Sequence, residues 1–247
     1  MDFRLLDTGK GPAAMNMAID EALMLSGKPA LRFYGWEPPA VSIGYFQGIE
    51  QEVDPGKCAQ LGVDVVRRLT GGGAVYHDQE LTYSFVAPEE GPIARNILES
   101  YRQICAPIVR GLKNLGLVAK FKPINDIIVN GRKISGNAQT RRKGMILQHG
   151  TILLDVNIRR MFSLLKVPNE KIRDKMISAA EDRVTSVSRE LSAAISRDAV
   201  KEALVEAFRQ ESYVRGLEPE ALSTEELKNA RKLAETKYST EEWNFMR

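Results

Sequence analysis

The sequence predicts an α+β fold, in which antiparallel strands interleave with helices. Three observations carry this. Short apolar or alternating segments bounded by Gly, Pro and Asn turns fill the chain up to about residue 155. Helical spacing dominates after that point. No regular strand–helix–strand unit repeats, and no period of about 20–50 residues recurs.

The elements follow in order. Residues 13–27 place Met17, Ala18, Leu23 and Met24 at helical spacing, with Asp20 and Glu21 on the same helix. "ALRFYGWEPPAVSIGYFQ" reads as two short strands around Pro38 and Pro39, which forbid helix. "QEVDPGKCAQLG" is a short helix with Asp54 as N-cap, Pro55 in the first turn and Gly62 near the end. "VDVVRRLTGGGAVYHD" and "LTYSFVAP" give strand, glycine interruption and strand. "ILESYRQICAPIVRGLKNLG" is an amphipathic helix closed by Gly116. Asn130-Gly131 predicts a hairpin turn inside "DIIVNGRKISGNAQTRRKGMILQHGTILLDV". Four helical segments complete the chain: "IRRMFSLLKV", "EKIRDKMISAAEDRV", "SRDAVKEALVEAFRQES" and "STEELKNARKLAETKY". The absence of a strong linker puts one main domain at 1–185 and a helical part at 186–247 packed on it.

Composition excludes several classes. At 247 residues, 43% hydrophobic and 27% charged, the chain suits one sizeable core and is neither disordered nor fibrous. Its first 25 residues lack a basic n-region followed by an apolar run, and no stretch approaches about 18 apolar residues. Cys58 and Cys105 have no CxxC spacing and read as reduced thiols of a cytoplasmic protein. A net charge of +3 does not imply nucleic acid, and no membrane association is expected. The charge is uneven, however. Lys120, Lys122, Arg132, Lys133, Arg141, Arg142 and Lys143 face Asp126 alone between 120 and 143, which suits an anionic ligand or an acidic partner.

Chemistry-bearing motifs are few. GxxxxGK[ST], HExxH, paired CxxC and GxSxG are all missing, so P-loop, zinc and serine-hydrolase readings fall away. What stands out is "VVRRLTGGGAVYHD". Three glycines let a ligand lie against backbone N–H groups, and Arg67 and Arg68 stand beside them for anion pairing. His77 and His149, each near a glycine, are candidates for supporting the site. The second cluster is "INDIIVNGRKISGNAQTRRKG". Lys133 there reads as a strand lysine able to bridge a phosphate and a carboxylate, and Asp126 as a Mg²⁺ ligand.

Together, "RRLTGGGAVYHD" and "NDIIVNGRKISGNAQTRRKGMILQHGTILL" resemble the lipoate–protein ligase A family of the biotin/lipoate protein ligase superfamily. "LRFYGWEPPAVSIGYFQ" and "ETKYSTEEWN" extend the resemblance from about residue 4 to the C-terminus. It implies a mixed, largely antiparallel sheet flanked by helices, with lipoate in an apolar tunnel. Arg68, Gly73, Ala74, Val75 and Tyr76 would contact the nucleotide, joined by Gly72, His77, Gly136, His149 and Thr151. Lys133 would be catalytic, touching the lipoyl carboxylate and the α-phosphate, and Asp126 would sit near the metal. The expected activity is ATP- and Mg²⁺-dependent: lipoate becomes lipoyl-AMP and is passed to a lysine of a lipoyl-acceptor domain, of the 2-oxoacid dehydrogenase E2 or glycine cleavage H protein type. The short C-terminal part resembles a form lacking the accessory domain, and implies a separate small subunit for adenylation. Two alternatives stand beside this. One is an octanoyltransferase using octanoyl-acyl carrier protein, which the lack of a suitably placed cysteine disfavours; the other is a non-catalytic binder of lipoate or adenylate.

Overall fold

The computed structural model describes residues 1–166 and 169–247. The first part of the chain forms β1 (Asp2–Gly11), α1 (Ala13–Ser26), β2 (Ala30–Trp36), β3 (Ala40–Ile43), α2 (Ile49–Glu52) and α3 (Pro55–Gln60). It continues through β4 (Asp64–Arg67), β5 (Val75–His77), β6 (Glu80–Pro88), α4 (Ile97–Asn114), β7 (Ala119–Lys122) and β8 (Asp126–Val129). β9 (Arg132–Arg142), β10 (Met145–Leu153), α5 (Ile158–Leu164), α6 (Glu170–Arg183), α7 (Val187–Leu191) and α8 (Arg197–Arg209) follow. β11 (Gly216–Pro219), α9 (Thr224–Leu233), a π-helical turn at Ala234–Tyr238 and α10 (Glu241–Asn244) come last.

The fold is mixed α+β, as expected. An eight-stranded sheet runs β11-β1-β2-β6-β10-β9-β8-β7, and a three-stranded one runs β4-β3-β5. The junctions β11–β1 and β1–β2 are parallel; the remaining five of the large sheet are antiparallel. Strand alternation divides the core. On β2 and β6, Leu31, Phe33, Leu81, Tyr83 and Phe85 point to one face, where α4 and α8 supply Ile104, Ile108, Leu204 and Phe208. Ala30, Tyr34, Trp36 and Val86 point to the other face and pack against Met17, Leu23 and Met24 of α1.

Local signals account for many boundaries. Asp54 accepts from the Lys57 N–H with Pro55 at N1, so α3 starts where a cap and a fixed φ coincide. Asn130 and Gly131 both take positive φ, 51° and 79°, the geometry of a two-residue hairpin turn between β8 and β9. Lys143 and Gly144 repeat it between β9 and β10, at 52° and 74°. The expected helix "IRRMFSLLKV" ends at Leu164 as α5; its final Val167 lies outside the described residues. β11 is a strand that the sequence reading did not separate, because four residues pairing in parallel with β1 carry no alternation of their own. None of the described helices is long and apolar enough to cross a membrane.

Candidate active site

The glycine motif is organised from below by Arg68. This side chain is 5% exposed, and its donors are all taken. Nη2 donates to the carbonyls of Gly71 and Gly73 at 2.8 and 2.9 Å, and Nη1 to Ser42 O and Oγ at 3.1 Å. Nε donates to Thr70 Oγ1 at 3.1 Å. The loop therefore wraps around a guanidinium, and burial pushes that guanidinium down to about 10. Arg67 is likewise saturated by internal carbonyls: those of Gly44, Tyr45 and Gln47 on one side, and of Trp243 and Asn244 on the other. Neither arginine is free to pair with an anion, contrary to the expectation. A planar fork of donors meets a curved set of backbone acceptors, a match that adjacency in sequence does not reveal.

The glycines have separate reasons. Gly72 takes φ +98°, open to glycine alone at low cost, and a Cβ there would sit 2.9 Å from Arg68 Nη2. Gly73 faces open space, which leaves its backbone approachable.

That backbone forms one wall of a cavity of about 280 Å³. The cavity brings together eleven of the sequence-predicted residues: Arg68, Gly72, Gly73, Ala74, Val75, Tyr76, His77, Lys133, Gly136, His149 and Thr151. Trp36, Ser42 and Thr82 also line it, as do the apolar side chains of Met17 from α1, Leu153 from β10, and Ile158 and Met161 from α5. Lys133 reaches it through a β-bulge. Ile127 pairs with Ser135 while Ile128 pairs with Lys133, so Ile134 is the extra residue, and Lys133 is turned to the face of Gly136. Its side chain lies across Gly136, where a Cβ would stand 2.8 Å from both Cε and Nζ. The Lys133 backbone is fixed by the Thr185 N–H at 2.8 Å.

Asp126 does not stand free as a metal ligand. Its Oδ1 lies 2.7 Å from Lys133 Nζ, a charge contact that is not aligned as a hydrogen bond. Among the described residues no group of three His, Cys, Asp or Glu could hold a metal ion.

The histidines sit deeper in the mechanism of the fold than expected. His77 contacts Ser42 Oγ through Nε2 at 2.7 Å and Glu80 Oε1 through Nδ1 at 2.8 Å, with Trp36 stacked on its ring at 4.0 Å. His149 contacts Thr70 Oγ1 at 2.7 Å and Asp20 Oδ2 at 3.1 Å; burial holds it below its ordinary value against the pull of Asp20. Asp20 pairs with Arg32 at 2.7 Å, both fully buried. Sequence reading missed Ser42, Thr70 and Glu80. Ser42 lies on the central strand of the small sheet and Thr70 in the loop after β4, and their pairing with histidine needs the fold.

Neither cysteine is among the lining residues. Cys58 is packed in the small-sheet cluster and Cys105 in the main core, both fully buried. Burial pushes their thiols up to about 11 and about 12.

A buried polar network beneath a glycine-walled apolar cavity, with one lysine at its edge, defines a small-ligand site on a mixed sheet. The model of the lipoyl protein ligase A/B catalytic domain matches residues 12–209, and the chain belongs to that family. It is 41% identical to an octanoyltransferase LipM of Kyrpidia tusciae, over 98% of each chain. It is 39% identical to the octanoyltransferase LipM of Bacillus subtilis, over 99% of this chain and 98% of that one. Among solved structures it superposes with TM-score 0.90 and 36% identity on a bi-partite lipoate protein ligase from Thermoplasma acidophilum, covering 99% of this chain and 96% of that one.

The full-length relatives named octanoyltransferases overturn the ATP-dependent ligase reading, and with it ATP, Mg²⁺ and lipoate as reactants. The reason is chemical. The missing thiol argued for ATP on the premise that transfer from a thioester needs a cysteine. A thioester already carries an activated acyl group, so its transfer to an amine calls for no nucleotide, and a missing thiol is not an argument for ATP.

Proposed function

We propose that the protein transfers an octanoyl group from the thioester of an acyl carrier protein to the ε-amine of a lysine on a lipoyl-acceptor domain. The observation that carries this is the combination of an apolar cavity with Lys133 laid across Gly136 at its edge, in a chain whose full-length relatives are octanoyltransferases. The acyl chain lies against the apolar wall of Met17, Leu153, Ile158 and Met161. The thioester carbonyl lies between the Gly72–Tyr76 backbone and Lys133.

Attack on that carbonyl places negative charge on its oxygen, and Lys133 Nζ is the cation placed to receive it. Asp126 holds the ammonium in position at 2.7 Å. Arg68 acts through the loop, fixing the carbonyls of Gly71 and Gly73 so that the opposite edge of the backbone faces the ligand. The product is an amide, more stable than the thioester consumed, so no nucleotide is required. A 2-oxoacid dehydrogenase E2 or glycine cleavage H protein type of domain is the acceptor, in the cytoplasm.

The test is to incubate the protein with octanoyl-carrier protein and a lipoyl domain, without nucleotide, and to weigh the acceptor by mass spectrometry. One added octanoyl group is expected. Acylation that appears only with ATP and a free acid would overturn the reading. Lys133→Ala should slow transfer by about 10²–10³-fold, the loss typical of one oxyanion-stabilising group, with an unchanged circular dichroism spectrum.

A further inference from the structure

The basic residues between 120 and 143 are not all committed within the fold. Arg132 pairs with Glu190 at 2.6 Å, Lys133 with Asp126 at 2.7 Å and Arg141 with Glu89 at 3.3 Å. Arg142 has no carboxylate partner among the described residues; its guanidinium lies over the Tyr45 ring, 4.8 Å from the centroid. Arg247 lies over the neighbouring Phe46 ring at 5.5 Å, and Phe46 is 70% exposed. Phe46 in turn stands against the glycine loop: a Cβ on Gly71 would be 3.7 Å from its ring, and Gly72 already lines the cavity.

One strand joins this patch to the cavity. Gly136 and Ala138 of β9 line the cavity, and the two-residue period carries the same face on through Thr140 to Arg142. Gly136 is the residue that the Lys133 side chain crosses, and from there to Arg142 the strand runs about 20 Å at roughly 3.3 Å per residue. β9 is also open along this stretch. β10 pairs with it from 135 to 142, whereas β8 pairs only with 132–136. Asn125 holds the N–H and C=O of Asn137, and beyond it Gln139 and Arg141 turn their backbone groups to the same side. The Tyr101 hydroxyl meets the Gln139 backbone. The N–H and C=O of Arg141 have no partner among the described residues.

We infer that β9 from Gly136 to Arg142 is the track for the phosphopantetheine arm of an acyl carrier protein, with the thioester at Lys133 and the phosphate at Arg142. This rests on the acyl-transfer reading above. Length, charge and polarity each match. Some thirteen bonds separate sulfur from phosphorus in the arm, and at the roughly 1.2 Å per bond of an extended peptide they span about 16 Å. The Arg142 side chain reaches back over the remainder. The phosphodiester carries one negative charge, which an arginine without a carboxylate partner is suited to meet. Next to that phosphate the arm has a gem-dimethyl carbon, which falls against the exposed Phe46 ring. Its two amides then run past Arg141, where they pair with the open strand edge as a short added strand does. Coenzyme A has the same arm, but there the phosphate continues into a nucleotide in place of a protein.

The experiment measures kcat/KM for transfer to a lipoyl domain from four donors: octanoyl-pantetheine, octanoyl-phosphopantetheine, octanoyl-coenzyme A and octanoyl-carrier protein. The wild-type chain should use octanoyl-phosphopantetheine at least about tenfold better than octanoyl-pantetheine, and Arg142→Ala should bring that ratio to within about twofold of one. Equal use of these two donors by the wild-type chain overturns the arm site and leaves the transferase reading standing. That comparison needs no variant, so a poorly folding one does not blunt the test. Octanoyl-carrier protein ahead of octanoyl-coenzyme A assigns the arm to a carrier protein, and the reverse order overturns that source. An Arg142→Ala chain that keeps the donor ratio but has a raised KM for the lipoyl domain makes the patch an acceptor surface and overturns the proposal. Transfer from none of the four overturns the transferase reading itself, and the arm site with it.

Discussion

Arg67 and Arg68 are neighbours that serve different loops, and neither serves a ligand directly. Alternation sends one guanidinium to the 44–47 loop and the C-terminal residues, and the other under the glycines. Both were legible as important from "RRLTGGG", but their role was not, since the acceptors are backbone carbonyls that sequence does not display. Arg67→Lys removes most of five carbonyl contacts from a fully buried position. It should cost about 2–4 kcal/mol in urea unfolding, because orphaned buried acceptors are expensive; a loss under 1 kcal/mol would contradict that account. Gly136 is the opposite case. A Cβ there crowds the flexible end of Lys133 and otherwise stands in ordinary contact with Asp126 Oδ1 at 3.9 Å, so Gly136→Ala should leave the melting temperature within a few degrees of wild type. The same change displaces the ammonium, and transfer should fall at least about tenfold. Full activity in that variant would remove Lys133 from the chemistry.

At the level of elements, what is local in origin was readable. The α3 cap, the Asn130-Gly131 turn and the α4 helix each follow from a few adjacent residues. The β-bulge that turns Lys133 toward the cavity was not readable, because it depends on the register of β8 against β9. Nor was the purpose of "ETKYSTEEWN". Those residues form the π-helical turn and α10, where Trp243 Nε1 donates to Arg67 O at 2.9 Å and the Asn244 side chain accepts from the Arg67 N–H at 2.8 Å. Lys237 meets Glu21 at 2.7 Å and lies over the Trp243 ring at 4.1 Å. This end of the chain therefore braces the strand that leads into the glycine loop. Trp243→Ala should destabilise by about 2–4 kcal/mol, read by thermal or urea unfolding. It should also lower transfer through the loop, and unchanged stability would show that α10 does not brace it.

For the molecule as a whole, buried ionisable groups set the response to acid. Burial holds His149 below its ordinary 6.5, outweighing Asp20. The native state therefore refuses a proton that the unfolded chain takes, and stability falls as pH drops below about 6.5. Burial also acts on Glu226, but the Arg4 side chain and the Ser223 N–H outweigh it and bring its carboxyl down to about 2. Its contribution is present above 4.5 and is lost as pH falls toward 2. The melting temperature should decline in two stages, the first setting in below pH 6.5, and His149→Gln should flatten that first stage. A melting temperature constant from pH 7 to 5 would refute the assignment. One further consequence lies in the tie between Arg67 and residues 243–244, some 176 positions apart. A ribosome adding about 5–20 residues per second needs roughly 10–35 s to cover that distance. For that interval the nascent chain carries a glycine loop whose neighbouring arginine has no C-terminal carbonyls to hold. The wall of the cavity that this strand leads into is thus completed only once residue 244 has left the exit tunnel.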